Sequence, residues 1–510
     1  MAQQLQNITV AAPGFAGLNT QDSPIGIDPS FAAVADNCVI DKLGRIGARK
    51  GWTAVSTNGA TVLGSSRGIE TVFEFVDRSG DKVVISAGNN KIFKGTTTLV
   101  DITPAGYTPT GNNWKCVNFN NHVHMVQRGH VSLIGSDESG SFVLEVITAH
   151  SHYTGTMPLA NEALAAYGKL WVADIIGNKH TVYWSDTLNG GGWTGGASGS
   201  LDLTLVWPTG NDEVVSLVAH NGFLFIFGKK SIVIYTGASS PATMTLHDTI
   251  EGVGCIARDS VQHTGTDVLF LSSSGLKTVG RVIQEKSVPM RDISKNVRTD
   301  LMTQALAQTN AIKSVYSADE AFYLLTLPDS NTVYCFDMRR QLEDGSFRAT
   351  TWSGINPLSL DVLEDGSIYI GISSGIVKYA GYVDGTELYQ MRYFSNPMDF
   401  GNASNLKFLK KFNITIIGGQ ATTATLNWGY DYSTDYTKQV LVFTSAAASA
   451  EYGIAEYNIA QYVAGGTINT PKVNTSGSGE IVTIGIEAEI NGSDFSIQKI
   501  DIHALLGRLI

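Results

Sequence analysis

Two histidine pairs are the first residues in this sequence whose type and spacing could bind a metal ion. His122 and His124 are separated by one residue, and so are His150 and His152. Each pair would therefore place two imidazoles on one face of a strand. Metal sites need three or four convergent ligands, and neither pair has an obvious further ligand in a matching context. We interpret both pairs as polar strand positions and predict no bound metal.

Two glycine patterns imitate nucleotide-binding motifs without meeting their requirements. Gly190, Gly192 and Gly195 satisfy the pattern GxGxxG, but the following residues, GASGSLDLTL, cannot form the helix that a dinucleotide site needs. In the segment GFLFIFGKK the glycines are one residue too far apart for a phosphate loop, and Lys230 replaces the required Ser or Thr. We interpret the first pattern as a Gly-rich surface loop and the second as turns flanking a strand, and we predict no cofactor.

One turn approaches a glycosidase signature. Glycosidases built on propellers can bring carboxylates and a Tyr together on a central axis, and those of the sialidase type share repeated Ser-x-Asp-x-Gly-x-Thr-Trp turns. Here only Ser185-Asp186, followed by Gly192-Trp193-Thr194, comes near, once, with a different spacing and with Trp before Thr. No Ser-His-acid set and no nucleophilic Cys lies in a recognisable elbow. The sequence therefore predicts a protein that is not an enzyme.

A repeated arrangement of turns and short apolar strands must position all of these residues. The arrangement recurs seven times, and equivalent apolar anchors are spaced by 40, 47, 53, 45, 54 and 46 residues. A period of about 40–50 residues is typical of four-stranded propeller blades. The sequence therefore predicts an all-β fold with a β-propeller of six to eight blades, seven being favoured. The anchors are Ile85, Met125, Val172, Phe225, Phe270, Leu324 and Ile370.

The segments on either side of the repeats have different patterns. Residues 1–60 predict an extended, turn-rich N-terminal arm, 61–400 the propeller, and 401–510 a C-terminal domain that resembles a β-sandwich. Because the Gly-rich arm cannot bury enough surface alone, we expect it to order against a neighbouring subunit or the C-terminal domain. Strands are expected at 408–417, 423–430, 440–443, 481–487 and 495–503, and an exposed loop or short helix at 445–450.

One helix and two long loops interrupt the predicted propeller. Apolar residues at four-residue intervals predict a packing helix from Ser294 to about Gln308, with Asp292 or Ser294 as its cap. The segments 103–113 and 188–211 are rich in Gly, Thr and Pro and are too long for hairpin turns. Long loops on a rigid scaffold are common sites of partner binding.

Composition and charge restrict the functional classes. The chain has 510 residues with 43% apolar residues, 54 glycines and a net charge of −11, so a dispersed affinity for nucleic-acid phosphate is not favoured. The start MAQQLQNITV lacks a signal-peptide pattern, and no apolar run could cross a bilayer, so neither export nor membrane insertion is expected. The four cysteines are far apart, and Cys255 and Cys335 have apolar contexts that predict reduced core thiols.

Three stretches of the chain have a family resemblance. The arm segment 17–52 contains Gly-Leu-Asn, an Ala-x-x-x-Asp-Asn turn and a closing Arg-Lys-Gly. The middle stretch comprises 167–186, 214–237 and 251–261, and the last is FSIQKIDIHALLGR at 495–508. Together they resemble the tail nozzle, or packaged-DNA stabilisation, proteins of short-tailed bacteriophages. The resemblance spans most of the chain, through motifs that are structural.

This resemblance implies a structural protein of the virion, assembled in the host cytoplasm. Six copies would form a ring below the portal and adaptor that extends the DNA channel, retains packaged DNA and opens for ejection. Propellers would point outward, while the arm and C-terminal domain would build the platform that docks on the adaptor. Tail fibre or tailspike proteins are further expected partners. Double-stranded DNA would pass without sequence-specific binding, and a lumen poor in Lys and Arg would let it slide.

The arm contains our candidates for subunit or adaptor contacts. Arg45, Arg49 and Lys50 could form ion pairs between subunits, and Trp52 could be an apolar anchor. Pairing of each cation within its own subunit is the open alternative.

In the loop 188–211, four residues are candidates for a channel gate or for fibre contacts. These are Asn189, Gly192, Trp193 and Trp207.

Two other functions stay open on the sequence. The first is a glycan-binding or glycan-cleaving propeller that acts on cell-surface saccharide, and the second is a plain propeller scaffold for host proteins. Annular six-fold particles would favour the nozzle, whereas monomers that release sugar would favour the glycosidase.

Overall fold

Most of the described chain folds into short strands that pair antiparallel, and the second strands of several modules are buried along their whole length. The computed structural model describes residues 5–23, 27–64, 68–137, 140–280, 292–420, 422–443 and 468–509. Within these ranges the described α-helices are α1 (Gly59–Leu63) and α2 (Arg298–Leu306), and single 3₁₀ turns occur at Ile147–Ala149, Pro241–Thr243, Arg258–Ser260, Lys295–Val297 and Pro328–Ser330. The predicted all-β class is confirmed.

The N-terminal arm forms strands that pair with distant parts of the chain. These are β1 (Leu5–Ala11), β2 (Gly17–Leu18), β3 (Phe31–Asp36), β4 (Cys38–Ile40), β5 (Ile46–Ala48) and β6 (Trp52–Ala54). Strand β1 pairs antiparallel with the C-terminal strand, from Leu5 opposite Leu505 to Ala11 opposite Lys499. Of the two arrangements that the sequence left open, a neighbouring subunit or the C-terminal domain, this strand pairing joins the arm to the C-terminal segment.

Consecutive antiparallel modules follow the arm, each contacting the next through its innermost segment to close a ring. Six are separate sheets, namely blades 1–5 and blade 7, whereas module 6 is continuous with a larger sheet. Blade 1 is β7 (Ile69–Val76), β8 (Lys82–Gly88), β9 (Lys91–Lys94) and β10 (Val100–Asp101); blade 2 is β11 (Lys115–Phe119), β12 (His122–Val126), β13 (Leu133–Ser136) and β14 (Val143–Val146); blade 3 is β15 (Glu162–Ala166), β16 (Lys169–Ala173), β17 (Thr181–Trp184) and β18 (Gly199–Asp202); blade 4 is β19 (Val214–His220), β20 (Phe223–Gly228), β21 (Ser231–Thr236) and β22 (Thr245–Glu251). Blade 5 is β23 (Gln262–His263), β24 (Val268–Ser272) and β25 (Gly275–Thr278); module 6 is β26 (Lys313–Ser317), β27 (Phe322–Leu327), β28 (Thr332–Gln341) and β29 (Phe347–Ser353); blade 7 is β30 (Ser359–Val362), β31 (Ile368–Ile372), β32 (Gly375–Tyr379) and β6.

The seven apolar anchor residues identified in the sequence occupy equivalent positions in the ring. All seven lie on the second strands of successive modules, and none is more than 1% exposed. Strand β6 of the arm supplies the outermost strand of blade 7, opposite Tyr379 at Trp52, so one blade is built from both ends of the domain. The predicted propeller of six to eight blades is confirmed.

The C-terminal segment and the arm together form a two-sheet sandwich. The first sandwich sheet contains β1, β4, β5, β34 (Asn405–Gly418), β41 (Phe495–Leu509) and the short strands β37 (Ile468–Asn469), β38 (Lys472–Asn474) and β39 (Ser478–Gly479). The second contains β3, β33 (Tyr389–Ser395), β35 (Thr423–Tyr430), β36 (Thr437–Val442) and β40 (Val482–Ile490). Apolar residues of both sheets, such as Phe412, Ile500, Trp428 and Ile486, share one buried core.

The segments predicted as arm, propeller and C-terminal domain are interleaved. Strand β6, inside 1–60, belongs to a blade, and β33, before residue 401, belongs to the sandwich. Module 6 passes through β3, where Asp36 pairs with Thr351, into the second sandwich sheet. Backbone hydrogen bonds therefore connect propeller and sandwich directly. The residues predicted as loop or short helix at 445–450 lie outside the described residues.

The predicted helix at Ser294–Gln308 is confirmed as a 3₁₀ turn followed by α2. Leu301, Met302 and Ala305 bury its inner face in the core shared with the sandwich. Ser294 is the N-cap residue of the 3₁₀ turn, as predicted, but its side chain forms no capping hydrogen bond, because its Oγ accepts from the Leu276 amide of β25 at 3.0 Å.

Candidate functional site

Arg49, near the end of the arm, joins distant parts of the chain. Its two terminal nitrogens donate to Asp384 at 2.8 and 2.7 Å, and its Nε donates to Asn37 Oδ1 at 2.8 Å. The guanidinium lies 4.1 Å from the centre of the Tyr389 ring, whose hydroxyl donates to the Arg49 carbonyl. Arg49 is completely buried, so this planar fork is held in a single geometry. We call Arg49, Asn37, Asp384 and Tyr389 the arm joint.

The other arm candidates also find partners in their own subunit. Arg45 Nε lies 2.5 Å from Asp41 Oδ2, four residues away, and the Lys50 ammonium pairs with Glu320 of module 6. Trp52 is half-buried within β6. All three cations are thus paired within the subunit, which is the alternative that the sequence left open. A role of these residues in subunit or adaptor contacts stays a prediction.

The Gly-rich segment 188–198 is held tightly against blade 3. The Asp186 carboxylate accepts from the amides of Thr187 and Ala197, both at 2.8 Å, and these hydrogen bonds, that of Ala197 foremost, lower the pKa of Asp186. The buried Lys169 ammonium donates to Thr187 Oγ1 at 3.0 Å and to the Ala197 carbonyl at 3.2 Å. The turn that resembled a glycosidase signature therefore connects β17 to β18.

The four candidates for a gate or fibre contact lie in different surroundings. Asn189 and Trp193 are half-buried, Gly192 is buried, and Trp207 lies in the core between blades 3 and 4 with 4% exposure. The prediction that 188–211 is one long loop is wrong, because Gly199–Asp202 forms β18. The candidates therefore do not share one flexible loop, and their role in gating or fibre contact stays a prediction.

A cluster of polar residues lies at the propeller axis, where the innermost segments of several modules begin. The sequence analysis did not predict this cluster. Arg258 donates from Nε and Nη2 to Asp259 at 2.9 and 2.7 Å, from Nη2 to Asn113 at 2.7 Å, and from Nη1 to the Asn161 carbonyl at 2.6 Å. Lys313 Nζ donates to the same Asp259 at 2.8 Å and to Asn113 at 2.5 Å. Burial alone would raise the pKa of Asp259, but Arg258 and Lys313 hold it well below its ordinary value.

Glu162 extends this cluster, with only 1% of its surface exposed. Its Oε1 lies 3.9 Å from Lys115 Nζ, and Ser216 Oγ donates to it at 3.4 Å. Burial raises the pKa of Glu162 to about 7, although Lys115 and Arg258 oppose the shift. We call Arg258, Asp259, Lys313, Lys115 and Glu162 the axial network.

A cavity of about 440 Å³ lies beside the axial network. Its rim includes Arg128, which pairs with Asp174, and Glu213, which pairs with Lys179 at 3.0 Å and Lys229 at 2.7 Å. The segment after α2 forms the opposite wall. One sequence feature could have indicated the axial network: a charged residue begins the first strand of several modules. The cavity can accept a polar ligand, since charged and amide groups line it.

The two histidine pairs form one cluster between blades 2 and 3. The ring centres of His122 and His150 are 5.1 Å apart, and those of His150 and His152 are 5.3 Å apart. His124 is buried, and burial, with the neighbouring imidazoles, lowers its pKa to about 3. Across the described ranges, no group of three or more His, Cys, Asp or Glu side chains is arranged to hold a metal ion.

All four cysteines are buried and unbridged, as expected for Cys255 and Cys335. Burial raises the pKa of Cys116 and of Cys255 to about 12, so neither forms a thiolate near neutral pH.

No helix in the described part of the chain has the length and apolarity to span a membrane.

Comparisons with known proteins give only distant structural similarity. No protein-family model matches the chain, and no curated protein matches it significantly. Among solved structures it is similar to the extracellular domain of the putative one component system BT4673 from B. thetaiotaomicron, with 10% identity, a TM-score of 0.43, and coverage of 70% of this chain and 46% of that one. PorZ, a surface component of the type-IX secretion system of Porphyromonas gingivalis, is similar with 11% identity, a TM-score of 0.33, and coverage of 68% and 43%. The chain thus spans less than half the length of either protein.

Proposed function

We propose that this chain is a non-enzymatic structural subunit of a short phage tail, the nozzle. Six copies form a ring that extends the DNA channel below portal and adaptor, retains the packaged genome and opens for ejection. The sequence resemblance in the arm, the middle of the propeller and the C-terminus is one support. The observation that supports it most is that arm and C-terminal strands build one sandwich, the platform such a ring needs.

The connection between propeller and sandwich fits this mechanical role. One sheet runs from module 6 through β3 into β33, and the buried arm joint connects the same region to Asp384, in the segment that follows blade 7. A force on the propeller would reach the platform through hydrogen bonds rather than through a free linker. In the ring, the platform meets the adaptor and the outward propeller meets tail fibres or tailspikes.

The acidic composition fits passage of DNA. With a net charge of −11, the subunit can present a lumen poor in Lys and Arg. Phosphate contacts are what hold DNA on a protein surface, so such a lumen lets the genome slide.

Assembly tests the proposal directly. We expect the purified chain to form annular six-fold particles in negative-stain images, alone or on its adaptor, with a hexamer mass by light scattering. Stable monomers that bind or release sugar from a cell-surface saccharide would overturn it. A lumen lined with basic side chains in an imaged ring would overturn the sliding argument.

A glycan-binding or glycan-cleaving propeller is the second candidate. It is favoured by the axial cavity, whose charged and amide groups suit a hydroxyl-rich ligand. Binding to a glycan array that is lost in Asn161→Leu, with the fold intact by circular dichroism, would support this candidate.

A further inference from the structure

The outer face of the first sandwich sheet is basic. Lys411 on β34 lies opposite Asn474, and Lys472 on β38 lies opposite Asn413, so both lysines are on the face turned away from the core. On the same face, Lys499 is neutralised by Asp501 at 2.8 Å. Lys411 and Lys472 form no ion pair with any other described residue. We call this surface the basic face.

The outer face of the second sandwich sheet is acidic. Glu487 and Glu489 on β40 lie opposite Thr425 and Thr423, whereas the intervening Ala488 points into the core. Neither glutamate forms an ion pair within the described ranges. Two cations share this face. Arg392 lies opposite Glu487 and pairs with Asp36 at 2.8 Å, and Lys438 on β36 lies opposite Asn427, so the face keeps a net negative charge. We call this surface the acidic face.

Exposed apolar residues accompany the acidic face. Val440 and Val442 on β36 lie opposite Thr425 and Thr423, and they are 55% and 68% exposed. Charged groups surrounding exposed aliphatic side chains are typical of a surface that contacts another protein.

We propose that in the assembled ring the basic face of one copy docks on the acidic face of the next copy. This inference rests on the proposed function, because it names the contact that builds the nozzle ring. A symmetric contact of either face with itself would place like charges together, which is costly. Basic-to-acidic docking instead pairs opposite charges and is head-to-tail, the arrangement that generates rings when the rotation closes.

Charge reversal on each face tests the contact. Lys411→Glu with Lys472→Glu makes both faces acidic, and Glu487→Lys with Glu489→Lys makes both faces basic. We expect each double variant alone to lose rings, with self-association weakened on the order of a hundredfold, as for like charges in an interface. An equimolar mixture of the two variants should regain rings, since alternating subunits again oppose basic and acidic faces at every contact.

A matched control and the folding state keep the outcomes distinct. Arg78→Glu with Lys230→Glu makes the same charge change on exposed propeller positions and should leave rings intact. The inference is overturned if each variant assembles like the wild type, or if the mixture stays monomeric while both components keep wild-type thermal transitions. In both cases the nozzle proposal stands as long as the wild type forms rings. A wild-type chain that forms no ring, either alone at its highest soluble concentration or on its adaptor, overturns both.

Discussion

Arg49 in the arm joint and Arg258 in the axial network are both buried, but their surroundings give them different roles. Arg49 in the arm joint has one bidentate carboxylate, Asp384, and one aromatic ring, Tyr389. Arg258 shares Asp259 with Lys313 and lies near Glu162, whose pKa is raised to about 7, beside an open cavity. The arm joint is therefore a fixed fastening, whereas the axial network can change its protonation near neutral pH. The chain therefore contains one buried ion pair with a structural role and one buried network with a group that titrates near neutral pH.

Breaking the fastening gives the largest expected effect. Arg49→Ala leaves the largely buried Asp384 carboxylate without its cation and Asn37 Oδ1 with the Ser353 amide as its donor, so the free energy of unfolding should fall by about 3–5 kcal/mol. Arg49→Lys should not rescue it, because an ammonium cannot form the planar fork. Hydrogen exchange at β4 and β5 measures the loss locally. Protection in these strands equal to that of the wild type would show that the arm is held without Arg49.

Removing the titratable acid of the axial network should act in the opposite direction and depend on pH. The pKa of Glu162 is raised to about 7 by burial, so the folded state retains a proton that the unfolded state loses. Stability from this group is full below the ordinary pKa near 4.5 and is lost as pH rises through about 7. Glu162→Gln should therefore gain on the order of 2–3 kcal/mol at pH 8 relative to its effect at pH 4. Denaturation midpoints across this range measure it.

Glu213, at the rim of the same cavity, is the matched contrast. Hydrogen bonds from Lys229 and then Lys179 lower its pKa to about 2, so its stabilisation is present at neutral pH and is lost as pH falls. Glu213→Gln should therefore lose stability at pH 7 and change little near pH 2. If Glu162→Gln and Glu213→Gln show the same pH dependence, the distinction between buried and paired carboxylates at the axis is wrong.

The propeller could be predicted from the sequence because each module repeats the same local pattern of turns and apolar strands. Apolar second strands recur at a regular period, so their burial could be predicted without knowing the partner strands. Strand β18 escaped prediction because it begins at Gly199, where any Cβ would lie 2.7 Å from the Trp184 ring. A glycine that packing requires looks, in sequence alone, like a loop residue.

The charged sites could not be predicted because their partners are distant in sequence. Arg49 and Asp384 are separated by 335 residues, and Arg258 and Asn113 by 145. The repeat gives the order of the modules but not which side chains reach the axis. The arm cations were predicted to form ion pairs between subunits, with pairing inside the subunit left open, and only the tertiary structure shows their partners within the subunit.

The buried His124, whose pKa is shifted by burial and by neighbouring imidazoles, provides a contrast to Glu162. Burial, with His122 and His150, lowers the pKa of His124 from 6.5 to about 3, so the unfolded state binds a proton that the folded state excludes. Stability should fall as pH drops below 6.5, by about 2 kcal/mol at pH 5, opposite in sign to Glu162. His124→Phe should remove this slope, measured by urea denaturation at pH 7 and pH 5. An unchanged slope would place the acid sensitivity elsewhere.

The smallest expected effect comes from the exposed neighbour of the arm joint. Lys50 pairs with Glu320, but the two side chains are 40% and 30% exposed, so solvent screens the pair. Lys50→Met keeps the aliphatic stem near the Tyr379 ring and should cost about 0.5 kcal/mol or less. The loss of unfolding free energy in Lys50→Met is then compared with that in Arg49→Ala under identical denaturation conditions. The difference measures how much more the buried ion pair stabilises the arm than the exposed one. Equal losses in the two variants would mean that the arm is held by general charge attraction rather than by the buried fork.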